Sequence, residues 1–234
     1  MSPRQALLLV AGPQAHKSAG HSLGACLSLE LSKRSVAAPL AYVSYPKQSA
    51  PSIAALHELM DSSDVLVFLF PLTLDQPPAC LVKVMEDYAW HRRRLASPAP
   101  QSVLAVAYAR NPEARQNDTA LSIVQRFAEL EGLTWLGGLA LGGSAALPAG
   151  KPLTSASFAG RHAVLALEKA ATALSRGLPI PQKAVRLMRR PSIPHRIYTW
   201  GLNWFVKRRA QKAGTLPRLQ AKPYEVSGSG YTEG

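Results

Sequence analysis

Unbroken apolar runs alternate along the chain with segments whose apolar residues recur at helical spacing. The runs predict five β-strands, at Ala6–Ala11, Leu40–Ser44, Val65–Phe70, Val103–Tyr108 and Trp135–Leu141. The segments between and after them predict helices at about 21–33, 52–60, 79–94, 119–131 and 156–175. Strands without polar alternation are typical of a parallel sheet that is covered on both faces. Five such repeats predict an α/β fold with a doubly wound five-stranded parallel sheet, because a barrel would need eight.

The composition changes at Gly177 and divides the chain into two parts. Residues 1–177 predict one domain, and residues 178–234 predict a basic helical extension interrupted by prolines, with a disordered Gly/Ser-rich end. The formal net charge is +13, and residues 177–234 hold eleven Lys and Arg against two Asp and Glu. Because the main body is nearly balanced, the charge indicates a basic tail and not a nucleic-acid-binding domain.

The two cysteines and the apolar runs bear on the cell compartment. Cys26 and Cys80 lie among small and apolar residues, without a Cys or His at metal-ligand spacing. We therefore expect buried, reduced thiols and no metal site, which suits a reducing cytoplasm. No apolar run approaches the roughly 20 residues that span a bilayer, and Ala6–Gly12 is too short for a secretory signal.

The loop after the first strand carries candidate phosphate ligands. Ligands of doubly wound sheets bind at the carboxyl ends of the strands, beside the point where the strand order reverses. Residues 12–22 join strand one to a helix and contain two glycines, hydroxyls, Lys17 and two histidines, His16 and His21. Backbone N–H groups at the helix start, with Ser18 and Ser22, would hold a phosphate. The alternative is a solvated loop in which Ser22 is a plain N-cap.

Two further loops carry a resemblance to a known family. Strand three ends in Phe70-Pro71-Leu72-Thr73-Leu74, and a polar turn and Pro77-Pro78-Ala79 follow. Strand four is followed by Asn111-Pro112-Glu113 and Asn117, and later by Gly137-Gly138 and Gly142-Gly143. With the basic tail, these segments resemble the flavodoxin-like, FMN-dependent NAD(P)H oxidoreductase family. The resemblance extends over nearly the whole chain and is strongest over residues 64–143.

The resemblance implies a flavodoxin-like fold with FMN as cofactor, NADH or NADPH as co-substrate, and an electron acceptor that is a small molecule or a redox protein. It also implies a homodimer, and it requires no catalytic side chain. The residues it assigns to FMN are Gly12, Lys17, Ser18, His21 and Ser22 at the phosphate, Pro71, Leu72, Thr73 and Leu74 along the isoalloxazine ring, and the backbone of Ala109, Arg110 and Asn111 at the N1/O2 edge.

The sequence departs from the family pattern at two places. Pro13 stands where the first loop of the family usually has Ser, with His16-Lys17 near the usual Arg, and Thr73 stands where Tyr is common. Two alternatives therefore stay open. One is a flavodoxin-like electron carrier without a nicotinamide site, and the other is a degenerate fold that binds no flavin.

Gly20-His21-Ser22-Leu23-Gly24 matches the G-x-S-x-G pattern of serine hydrolases. That motif requires the serine on a tight turn directly between a strand and a helix. Here the first strand ends at Ala11, so the serine comes far too late, and a hydrolase is only a minor alternative. His57, His91 and His162 fall within or at the end of predicted helices and are expected to be structural.

The tail combines aromatic and cationic residues. Pro194 opens a segment in which Ile197, Trp200, Trp204 and Phe205 fall at helical spacing. The cations nearby are Arg196, Lys207, Arg208, Arg209 and Lys212. The aromatic face would pack on the domain or on a dimer mate, or it would lie on an anionic membrane. An apolar face of only about two turns favours packing.

Overall fold

The computed structural model describes residues 5–44, 53–151, 153, 160–191, 195–219 and 221. Five strands form one parallel sheet in the order β2-β1-β3-β4-β5. Their bounds are β1 Ala6–Ala11, β2 Leu40–Val43, β3 Val65–Pro71, β4 Ser102–Tyr108 and β5 Thr134–Leu141. The predicted doubly wound sheet is confirmed, and each strand lies within one residue of its predicted bounds.

Helices cover both faces of the sheet. Their bounds are α1 Ala19–Ser32, α2 Ile53–Asp61, α3 Ala79–Arg92, α4 Asp118–Leu130, α5 Arg161–Leu174, α6 Gln182–Met188 and α7 His195–Lys212. Buried residues of α1, α5 and α6 share one core with one face of the sheet, and those of α2, α3 and α4 share the other. The first helix begins two residues earlier than predicted. The predicted start of α2 at Ser52 and residues 156–159 of the predicted fifth helix lie outside the described residues.

The apolar strands and the helix periodicity explain this arrangement. The six residues of β1 are all buried, with alternate side chains in the two cores. On α1 the predicted face of Leu23, Leu27 and Leu31 is fully buried. A strand whose two faces both meet helices must be apolar at every position, so a continuous apolar run appears in place of alternation.

The chain forms two compact units, residues 1–193 and 194–234. Helix α6 belongs to the first unit, although the sequence places it in the extension. The backbone N–H of Ile180, just before α6, donates to Leu136 O in β5 at 2.7 Å. Gly137 permits this approach, because a Cβ there would lie 3.3 Å from Ile180 Cβ. In the second unit, α7 begins at His195, whereas Pro194 and the Gly/Ser-rich end lie outside the described residues.

Candidate functional site

The loops after β1 and β3 meet at the carboxyl edge of the sheet. Gly12 follows β1 with φ +123°, a region that favours glycine. A Cβ at this position would lie 2.9 Å from Pro71 Cγ, at the end of β3. Both loops therefore lie at the point where the strand order reverses, which is the place where doubly wound folds bind ligands.

Ser18 shapes the loop after β1. Its Oγ accepts a hydrogen bond from the backbone N–H of His21 at 3.2 Å and donates to Ala15 O at 2.7 Å. Ser18 is therefore the N-cap of α1, and the alternative with Ser22 as N-cap is wrong. The first turn of α1 contains no acidic residue. Its backbone N–H groups and the helix dipole make this end of α1 electropositive.

Ser22 is fully buried in α1 and binds the segment that follows β5. Its Oγ donates to Pro148 O at 2.6 Å and accepts from the backbone N–H of Lys151 at 3.2 Å. Gly150 N–H also donates to Ser18 O at 3.1 Å. The segment 148–151 therefore packs against the start of α1. The contact of Ser22 with a phosphate stays a prediction, and its buried position within a helix does not suit a serine nucleophile.

Two histidines of the loop after β1 contact Tyr42, in β2. The His16 ring lies against the Tyr42 ring at an interplanar angle of 32°, with centroids 3.6 Å apart, and His21 Nδ1 lies 2.7 Å from Tyr42 Oη. Lys17 is exposed between them in the chain. Lys17 therefore places an exposed cation next to the start of α1, beside two histidine rings that contact Tyr42.

Tyr108, the last residue of β4, points its hydroxyl toward the start of α1. The side chain is 5% exposed, and the hydroxyl lies against Ser18 and Gly20. A Cβ on Gly20 would lie 2.7 Å from Tyr108 Oη. Burial raises the pKa of Tyr108, and the neighbouring Ser18 hydroxyl and Gly20 N–H oppose that shift. No hydrogen bond of acceptable geometry links the hydroxyl to any described residue.

Buried polar atoms without a hydrogen-bond partner are rare in folded proteins, and each one needs an explanation. Within the described segments, four such side-chain atoms occur: Arg92 Nε, Tyr108 Oη, Asn117 Oδ1 and His162 Nδ1. Two of them lie at the carboxyl edge. Asn117 Nδ2 donates to Leu141 O, at the end of β5, at 3.2 Å. Tyr108 was predicted only as the end of a strand, although a polar aromatic residue that closes an apolar run is the signal that marks it.

The loop after β3 is a tight turn in a strained conformation. Thr73 and Gln76 exchange two backbone hydrogen bonds, of 3.0 and 3.1 Å, across Leu74 and Asp75. Leu74 has φ 48° and Asp75 has φ 62°, so two consecutive residues other than glycine occupy the left-handed region. Each costs about 1 kcal/mol or more. Leu74 is 91% exposed at the tip. Backbone strain of this kind clusters at ligand-binding and active sites.

The loop after β4 is held by the loop after β5. Ala109 N–H donates to Leu141 O at 2.8 Å, and Gly143 N–H donates to Asn111 O at 2.6 Å. Gly142 allows the closest approach, because a Cβ there would lie 2.1 Å from Pro112 O. Arg110 is exposed. The predicted residues 109–111 therefore occupy a rigid backbone corner beside the end of β3, where Leu72 N–H also donates to Tyr108 O at 2.9 Å.

A second concave surface lies between α3 and α4. This groove of about 410 Å³ is lined by Val82, Met85, Glu86, Ala89, Trp90, Arg93, Phe127 and Glu131. Its only polar lining residues are charged, and Arg93 forms an ion pair with Glu131. The groove lacks backbone donors from strand ends. We therefore place the candidate site at the carboxyl edge of the sheet.

The cysteines and the metal-binding residue types form no centre of their own. Cys26 is buried, and burial raises the pKa of its thiol to about 11, whereas Cys80 is only half-buried, with burial again raising its pKa. Both are free thiols. In the described ranges, no three His, Cys, Asp or Glu side chains cluster as metal ligands would. Nor does any described helix have the length and apolarity to cross a membrane.

Comparison with known proteins identifies the fold. No family model and no curated protein matches the chain. Among solved structures, an NAD(P)H:quinone oxidoreductase from Methanothermobacter marburgensis matches with TM-score 0.55 and 14% identity, over 74% of this chain and 96% of the other. An FMN-dependent NADH-azoreductase from Bacillus anthracis, solved with FMN, matches with TM-score 0.53 and 12% identity, over 74% and 99%.

A third structure is much larger than this chain. The rubredoxin oxygen:oxidoreductase of Desulfovibrio gigas matches with TM-score 0.48 and 9% identity, over 74% of this chain and 36% of its own length. The quinone oxidoreductase and the azoreductase match over nearly their whole length. These two matches agree with the observed sheet order β2-β1-β3-β4-β5 and with the helices on both faces. This chain has the flavodoxin-like α/β fold.

Proposed function

We propose that this protein is an FMN-dependent oxidoreductase that takes electrons from NADH or NADPH and passes them to a second substrate. The observation that carries the proposal is the Tyr108 hydroxyl. It is buried and faces the electropositive start of α1, and it forms no hydrogen bond of acceptable geometry with a described residue, although the Ser18 hydroxyl and the Gly20 N–H lie beside it. A phosphate at this helix end would accept from the hydroxyl and from first-turn N–H groups.

The residues around this end of α1 fit the phosphate of FMN. Lys17 supplies positive charge, Ser18 fixes the loop, and Gly12 keeps the backbone close to β3. A charge-assisted hydrogen bond contributes about 1.5–3 kcal/mol. The described part of the loop and the first turn of α1 contain no carboxylate that would repel the phosphate.

The loops after β3 and β4 fit the isoalloxazine ring. Pro71 and Leu72 are half-buried and offer apolar surface, while Thr73 and Leu74 are exposed in the strained turn. The backbone at 109–111 would face the N1/O2 edge, where donor groups stabilise the negative charge that builds on reduction. When bound, FMN supplies the chemistry by accepting a hydride from the nicotinamide and releasing electrons to an acceptor.

The chain's own residues would position and shield the cofactor and polarise its ring, and no described side chain stands out as a general acid. Leu74 would exclude water from its side of a bound ring, and the corner held by Gly142 keeps the 109–111 backbone rigid. The quinone and azo compounds in the names of the two matching enzymes are small planar acceptors. We propose an acceptor of that size and a homodimeric assembly for this chain.

The absorption spectrum of the purified protein tests the proposal. After incubation with FMN and gel filtration, we expect a yellow protein whose flavin bands are bleached by NADPH or NADH under anaerobic conditions. A yellow protein that neither nucleotide bleaches, but that dithionite reduces, would identify an electron carrier. A colourless protein after the same treatment would overturn the assignment of FMN. Size-exclusion chromatography with light scattering tests the dimer.

A further inference from the structure

The described part of the second unit is built around one helix with exposed aromatic side chains. In α7, Trp200 is 72% exposed, Phe205 56% and Trp204 53%. Leu202 and Val206 are exposed as well, at 48% and 42%. Single apolar residues at a surface are ordinary, but five large apolar side chains exposed within residues 200–206 of one helix indicate an interaction site.

Cations follow the aromatic residues along the same helix. Lys207, Arg208, Arg209 and Lys212 lie in its last two turns, Arg196 alone precedes the aromatic residues, and α7 contains no Asp or Glu. Arg208 Cζ lies 5.1 Å from the centre of the Trp204 ring. This helix is therefore complementary to a surface that is both anionic and partly apolar.

The two groups are separated along the axis of α7 and not around it. The aromatic patch is centred near residue 203 and the cationic cluster near residue 209, about 9 Å further along at 1.5 Å per residue. A bilayer surface likewise has an apolar region beside a charged one. Aromatic side chains prefer the boundary between headgroups and acyl chains, and Lys and Arg reach the anionic headgroups.

The length of the apolar face favours packing, but the exposure of its side chains does not, and we infer that α7 binds the surface of an anionic membrane and holds the chain there as a peripheral protein. The exposed Leu202 and Val206 favour lipid over single-stranded nucleic acid, because bases stack on aromatic rings and not on aliphatic side chains. This inference does not depend on the proposed oxidoreductase activity.

Sedimentation of the full chain with sucrose-loaded vesicles tests the inference. We expect binding to phosphatidylcholine vesicles that contain 30% phosphatidylglycerol, at least tenfold weaker binding to pure phosphatidylcholine, and loss of binding in high salt. Absence of binding to the anionic vesicles, or equal binding to both compositions, would overturn the inference.

Charge variants locate the binding surface. Each cation near an anionic surface contributes about fivefold in partitioning, so Lys207→Ala with Arg208→Ala should weaken binding about thirtyfold. The matched control is Lys183→Ala with Arg186→Ala, which removes two exposed cations from α6 in the other unit and should leave binding unchanged. Equal losses in both double variants would show that only net charge matters, against a site on α7.

Aromatic variants separate a membrane from a nucleic acid. Trp204→Ser should weaken vesicle binding several-fold, whereas Trp90→Ser, which removes a similarly exposed tryptophan (57%) from α3, should not. A different result would overturn the inference. If neither protein binds vesicles, and the full chain binds a single-stranded oligonucleotide that Trp204→Ser binds more weakly, α7 is a nucleic-acid site.

Discussion

Two buried tyrosines at opposite edges of the sheet differ in their hydrogen bonding. At the amino edge, Tyr88 Oη donates to Gln101 Oε1 at 2.7 Å and lies 3.0 Å from Asp61 Oδ1. Burial is the main cause that raises the pKa of Tyr88 to about 12. At the carboxyl edge, Tyr108 is buried to a similar degree, and its hydroxyl has no partner among the described residues.

The difference in hydrogen bonding distinguishes the scaffold around Tyr88 from the candidate binding site around Tyr108. Around Tyr88, Gln101 also donates to Met60 O and Ser63 O and accepts from Arg92, so one amide joins α2, α3 and the start of β4. Such a network stabilises the fold through its shared hydrogen bonds, although Arg92 Nε within it has no partner among the described residues. A buried hydroxyl without a well-formed hydrogen bond costs the fold free energy, and a ligand that accepts from it would remove that cost.

The largest expected effect comes from Gln101→Leu. It removes the donor to two buried carbonyl groups and the acceptor of Tyr88 and Arg92, and unsatisfied buried groups cost about 1–3 kcal/mol each before relaxation. We expect the free energy of unfolding to fall by about 3 kcal/mol in urea titrations. Gln116→Leu, at the carboxyl edge, is the control and should change it by less than about 0.5 kcal/mol. Equal losses of unfolding free energy in the two variants would contradict the difference between the two edges of the sheet.

The tyrosine pair itself gives the sharpest test. Tyr108→Phe should weaken FMN binding about 10- to 100-fold in fluorescence titrations, with the stability of the FMN-free protein unchanged or raised. Tyr88→Phe should lower that stability by about 1–2 kcal/mol and leave FMN affinity unchanged, because it breaks the bonds to Gln101 and Asp61. Wild-type FMN affinity in Tyr108→Phe would contradict the assigned phosphate site.

Gly20→Ala tests whether Tyr108 is held against the start of α1. Alanine normally stabilises a helix over glycine by up to about 1 kcal/mol. Here the new Cβ would lie 2.7 Å from Tyr108 Oη, so we expect a net loss of about 1 kcal/mol in unfolding free energy. Addition of Tyr108→Phe should recover part of that loss. A Gly20→Ala protein that is more stable than the wild type would place Tyr108 elsewhere.

The smallest expected effect is a pH dependence at the amino edge. Burial, followed by the neighbouring His91, lowers the pKa of His57 from 6.5. The unfolded chain therefore takes up a proton near pH 6.5 while folded His57 stays neutral, so stability falls as the pH drops from 6.5 toward the folded pKa. His57→Gln should flatten this slope in urea midpoints measured between pH 7.5 and 5. If the dependence of stability on pH is unchanged in His57→Gln, other titrating groups cause it.

The sequence predicts the sheet well and the candidate site only in outline. Strands β1, β3 and β4 are apolar at nearly every position, so their bounds follow from composition alone. The contact of Ser22 with Pro148 joins residues 126 positions apart and leaves no local signal. The turn at Leu74 and Asp75 contains no glycine, so turn propensity gives no indication of the left-handed conformation.

The exposed tip of the loop after β3 has a consequence for protein engineering. The Leu74 side chain contributes almost no packing, so packing places little constraint on its identity, while its backbone conformation does. In the proposed oxidoreductase, a saturation library at this position would sample acceptor preference on a nearly constant scaffold. Asn and Gly, which tolerate a φ of 48°, would also relieve the backbone strain, and they would show whether turnover depends on a rigid tip or only on an apolar one.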